Sequence, residues 1–187
     1  MVALRLTGDA AGDALLSENG FALLVGMMLD QQIRMEIAFL GPHRLAERLG
    51  IELTPRRLAA APPDEVDAAF RIKPAIHRFP GAMAGRVQRL AEIIVERYDG
   101  DASAIWTGAK DAADLHARLA ELPGFGPDKA SIFMALLGKQ LKVRPRGWKE
   151  VAGEYADDGY RSIADVVDPD SLLLVRESKQ AAKRADA

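Results

Sequence analysis

The stretch Leu122-Pro123-Gly124-Phe125-Gly126-Pro127-Asp128-Lys129-Ala130 decides the fold. Two glycines and two prolines within so short a span mark a turn, yet helical patterns adjoin it on both sides. Upstream, after Asp111, Leu115, Leu119 and Leu122 recur on one helical face. Downstream, Pro127 opens a second helix through Phe133, Leu136 and Leu137 to Gly138. The turn therefore joins two helices. Its glycines take backbone conformations closed to other residues, and they leave N–H groups uncovered. The unpaired N–H groups and positive dipole end of the second helix face the same spot, which suits an anion such as phosphate. Lys129, in its first turn, adds a point charge. The alternative is a plain interhelical turn closed by Gly126.

Outward from the hairpin the pattern stays helical. Ala82–Tyr98 is amphipathic, with Met83, Val87, Leu90, Ala91 and Ile94 on one face and Gly100 beyond its end. Two short helices are expected from Thr54 to Ala61, capped by Thr54 with Pro55 at the first position, and from Pro63 to Phe70. A loop follows through Gly81. Phe21–Leu29 is apolar on all sides and reads as a buried helix ending near Gln31-Gln32. Met35–Gly50 is helical but interrupted at Gly41-Pro42, and a first short helix is expected with Thr7 as its cap. A last helix begins at Asp168 or Asp170 and ends in a basic tail. With no alternating strand pattern, the fold class is all-α.

The chain has 187 residues, 49% hydrophobic and 28% charged, with net charge −2. That is ordinary for a globular domain and excludes neither one unit nor two interleaved lobes. It has no cysteine, which excludes disulfides, zinc thiolates and any cysteine-ligated iron–sulfur cluster. His43, His77 and His116 lack the spacing of a metal site. The acidic N-terminus reads as neither a signal nor a transit peptide, and Phe21–Leu29 is too short to span a bilayer. A cytoplasmic monomer is the expectation. The run from Lys129 to Lys149 carries Lys139, Lys142, Arg144 and Arg146 without an acid, so a localised anionic partner is expected, with solvated helix ends as the alternative.

The hairpin residues Leu122–Ala130 resemble the helix–hairpin–helix (HhH-GPD) superfamily of DNA glycosylases, which includes endonuclease III and 3-methyladenine DNA glycosylase II. The stretches FALLVGMMLDQQ and RFPGAMAGRVQRLAEIIVERYDGD resemble its buried early helix and its long helix before the hairpin. Within the superfamily the chain most resembles a group of actinobacterial-type proteins of about this length. The resemblance covers residues 21–138. It implies a two-lobed helical base-excision repair protein, with 21–138 as the core and 1–20 plus 139–187 as a second lobe. It also implies double-stranded DNA as the partner, gripped at Gly124, Phe125, Gly126 and Lys129, and an extruded base. Gln32 matches the glutamine that fills the vacated stack. A potassium or sodium ion on the backbone of Leu122 and Gly124 is implied as well.

At two family positions this chain departs. The lysine of the strand-cleaving branch aligns with Asp128, and Lys129 is turned about 100° from it on the helix, so lyase activity is not expected. The family's catalytic aspartate falls near Gly147 or Trp148. Glu150 is the nearest acid, either a catalytic substitute or a surface residue, and Asp128 either serves the base site or simply suits a helix start. Trp148 either stacks on an extruded base or packs in the core, while Arg144 and Arg146 are expected to face DNA. The resulting expectation is a monofunctional glycosylase. The alternatives are an inactive module for distorted DNA and a helical scaffold with a protein partner.

Overall fold

The computed structural model describes residues 3–185. Among them are eleven α-helices and two short 3-10 turns, and no strand. Helix α1 (Ala10–Glu18) is capped by Asp9, which accepts from the Gly12 amide at 2.7 Å. Thr7, expected in that role, instead donates its hydroxyl to Asp13 at 2.8 Å and so fastens the preceding loop to α1. Helix α2 (Gly20–Leu29) is buried from Phe21 to Leu29, as an all-round apolar helix must be. It crosses α3 (Met35–Leu49) closely: a Cβ on Gly26 would lie 2.7 Å from the Phe39 ring.

Helix α3 runs unbroken through Gly41-Pro42, where the sequence suggests an interruption. Both residues are buried. Leu29 and Ile76 fill the space a side chain on Gly41 would need. Packing on α2 thus outweighs the hydrogen bond that Pro42 removes. Helices α4 (Pro55–Ala60) and α5 (Pro63–Arg71) lie against the long α6 (Pro80–Tyr98). The loop between α5 and α6 contains a cis Lys73–Pro74 bond.

The second half begins with α7 (Ala104–Thr107) and α8 (Ala112–Ala120), the latter capped by Asp111 as its sequence indicates. Helix α9 (Pro127–Lys139) is central here, touching α8, α10 (Trp148–Ala152) and both 3-10 turns, Gly153–Ala156 and Ile163–Asp165. Gln140 stitches the second turn to it, donating to the Ala164 and Val166 carbonyls at 3.0 and 2.9 Å. Helix α11 (Pro169–Ala185) starts with Asp168 accepting from Ser171. The terminal segments meet, residues 3–18 and 168–172 sharing a cavity of about 620 Å³, while α1 itself packs on α2 and α3. Buried side chains from both halves form one continuous core. No helix among the described residues is long and apolar enough to cross a membrane.

Candidate nucleic-acid interface

The hairpin turn is held from below and open above. Leu122 is buried and its carbonyl accepts from the Phe125 amide at 3.1 Å. The Phe125 ring packs edge-on against Phe133, 5.9 Å between centroids, so this residue serves the core as well as the turn. Gly124 has φ +76°, and a Cβ there would sit 2.7 Å from Met28 Cγ and 3.2 Å from Gln31 Nε2. Only glycine lets the hairpin close on the end of α2. Gly126 has φ +133° with nothing within 4 Å of a would-be Cβ, so its backbone faces open space. It caps α9 without a side chain, and Pro127 follows at the first helical position. An anion can therefore approach the first turn of α9 without displacing any side-chain cap.

The turn is bolted to the loop after α2. Lys129 sends its ammonium inward to the Met27 and Met28 carbonyls at 2.8 and 3.2 Å, adding a cation at the C-terminal end of α2 rather than facing solvent. Gln31 donates to the Met28 carbonyl at 2.7 Å and lies 3.4 Å from the Gly124 carbonyl. The Gln31 carbonyl in turn accepts from His77 Nε2 at 2.9 Å, while His77 Nδ1 accepts from the Phe79 amide at 3.0 Å. That pair of bonds fixes a neutral imidazole with its proton on Nε2. Burial, with Lys129 and Arg86 nearby, keeps its pKa low.

Gln32 emerges from this clasp exposed, with φ +56° in the left-handed region. Beyond His77, Phe79 is 44% exposed, its ring 6.0 Å from the imidazole and covered on one side by the Arg78 guanidinium at 5.3 Å. Beneath the clasp lies Asp30. Burial raises its carboxyl pKa against the pull of Lys179 and Lys129. Burial likewise brings Lys129 down from 10.5 to about 8, opposed by Asp30. Lys179 reaches this cluster from α11, 3.9 Å from the Met35 sulfur.

On the other side of α9, Asp128 is exposed and accepts from the Tyr155 hydroxyl at 2.9 Å. Of the remaining residues singled out in the sequence, Trp148 and Arg144 lie at the opposite end of α9, about 17 Å along its axis from Pro127 to Gly138. Trp148 packs its ring over Gly138, where a Cβ would be 2.5 Å away. Arg144 lies over that ring at 5.7 Å and donates to the Gly138 carbonyl at 2.9 Å. Lys139 bonds Asp165 at 2.6 Å, and Lys142 bonds the Lys139 carbonyl at 2.7 Å. Cations at a helix C-terminus complement its dipole, which accounts for much of the basic run. Arg146 is largely exposed, 3.9 Å from Asp111, and Glu150 lies in the first turn of α10 beside Gly147. The Gln32 loop is thus clasped to the hairpin, Asp128 faces Tyr155 in the helix turn that follows, and Arg144 packs with Trp148 at the far end of α9. Among the described residues no cluster of acids and histidines could hold a metal.

Gln31, His77, Lys179 and Tyr155 contact these residues or their neighbours without having been proposed as site residues from the sequence. Each acts through a contact between segments far apart in the chain, and none lies in a periodic motif. A glycine-opened hairpin starting a helix, clasped to an exposed polar loop, gives an all-helical protein with an uncapped helix start that an anion could approach. The chain belongs to the HhH-GPD superfamily of base excision DNA repair proteins, whose family model matches residues 25–177. Searches of curated proteins and of solved structures returned no match.

Proposed function

We propose that this protein is a monofunctional DNA glycosylase, which grips duplex DNA at the α8–α9 hairpin and hydrolyses the bond between a damaged base and its sugar. The observation that carries this reading is the clasp. Lys129, Gln31 and Gly124 register the open hairpin against the loop that presents Gln32. A phosphate taken by the first turn of α9 then sets where Gln32 meets the base stack. Phe79 and Arg78, tied to the same loop through His77, add an aromatic face and a cation beside it. The carbonyls of Leu122 and Gly124 each keep a lone pair with which a potassium or sodium ion could be shared.

Lys129 is committed to the end of α2, and by its resemblance to the family the chain carries Asp128 in place of the lyase lysine, so Schiff-base chemistry is not expected. Base loss should therefore leave an intact abasic strand. One observation favours the second reading, a binder without chemistry: Gly147 and Trp148 stand where the resemblance puts the family's aspartate, and Glu150, the nearest acid, lies in the first turn of α10 beside Gly147. A panel of duplexes carrying alkylated, oxidised or deaminated bases separates the two. Release of free base, with strand breaks only after alkali, is the expected result. Tight binding of lesion duplexes with no base released would establish the binder.

A further inference from the structure

We infer that Asp128 and Tyr155 are the reacting carboxylate and its positioning partner in base release, an inference that rests on the glycosylase reading above. Asp128 stands exposed in the first turn of α9, two residues past the open Gly126. Tyr155 reaches it from the 3-10 turn Gly153–Ala156 and donates to Oδ1 at 2.9 Å. Oδ2 takes no donor among the described residues. Burial and the adjacent carboxylate push the Tyr155 phenol up to about 12, so it remains an O–H donor at any working pH. The carboxylate is thus held by one oxygen and free at the other, beside the turn that would grip the phosphate.

The other acids on this side of the molecule are placed differently. Asp30 is half-buried, with Lys129 and Lys179 as its charged neighbours. Glu154 is paired with Arg161 at 3.1 Å. Glu150 lies in the first turn of α10, beside Gly147.

The step balances without a metal or a second substrate. Asp128 takes a proton from water as the water oxygen bonds to C1′ of the sugar, and the N-glycosidic bond breaks with its electron pair leaving on the base. Where the base carries the positive charge of ring-nitrogen alkylation, that pair neutralises it and no acid is needed for departure. Asp128 then returns the proton to solvent.

The test is single-turnover release of 7-methylguanine from duplex DNA by the full chain. Asp128→Asn should slow release by roughly 100-fold, the usual scale for loss of a general base, with duplex affinity undiminished. Formate should restore part of the rate to Asp128→Ala, which a structural role would not allow. Tyr155→Phe should slow release about 10-fold without weakening binding, and the double variant should be no slower than Asp128→Asn alone, since the two act as one unit. If the unaltered protein releases the base and Asp128→Asn does so equally fast, the assignment is overturned and the glycosylase reading stands. Additive losses, or an unaffected Tyr155→Phe, overturn the positioning role. No release by the unaltered protein from this or any lesion duplex removes the glycosylase reading and this inference with it.

Discussion

At the scale of single residues, Gln32 carries backbone strain beside the hairpin, and Gly124 supplies the freedom that lets the hairpin close without it. A left-handed non-glycine residue costs about 1 kcal/mol or more, and Gln32 accepts that conformation between the bonded Gln31 and the start of α3. Gln32→Gly should therefore raise the unfolding free energy by about 1 kcal/mol while weakening binding to abasic duplex, a pairing of effects measurable by denaturant unfolding and fluorescence anisotropy. A variant that loses stability would show that the side chain itself supports the fold. Gly124 and Gly126 read alike in the sequence as turn glycines but differ in space. The first makes room for Met28 and the second leaves room for a partner.

Among elements, α9 carries the account, because its two ends do different work. Its first turn meets the hairpin and the clasp, and its last turn is closed by Arg144 and Lys142. Lys129 ties the first turn to α2 at a cost in charge burial. Between about 8 and 10.5 the unfolded chain holds a proton on this lysine that the native protein lacks, so the native state gains stability as pH rises through that window. Thermal unfolding of the unaltered protein and Lys129→Met should accordingly diverge in favour of the former between pH 8 and pH 10. A difference independent of pH would mean that the ammonium is not desolvated. The helices themselves were largely legible, because caps such as Thr54 and Asp111 and the apolar periodicity of α6 are local signals. The continuity of α3 through Pro42 was not, since burial against α2 decides it. Nor were α10 and the 3-10 turns, which are too short for periodicity to register.

For the whole molecule, the hairpin was readable because glycine and proline spell out turn geometry directly, whereas Gln32 was named only through the family resemblance. The clasp that joins them was not, because His77, Gln31 and Lys129 meet across segments up to 102 residues apart. The basic run from Lys139 to Lys149 shows the converse: charge in sequence gives no direction, and Lys139, Lys142 and Arg144 are spent on side-chain and backbone partners at the end of α9 and on the acidic turn beside it. The central claim is that hairpin and Gln32 loop act as one rigid unit on a duplex containing a gap. The measurement that tests it most directly is anisotropy of labelled abasic and intact duplexes titrated with the unaltered protein, Gln32→Ala and Arg144→Ala. The unaltered protein and Arg144→Ala should prefer the abasic duplex alike, and Gln32→Ala should lose this preference by about 10-fold, or 1.4 kcal/mol, while binding intact DNA as before. Equal affinity of the unaltered protein for both duplexes, or an unchanged preference in Gln32→Ala, would contradict it.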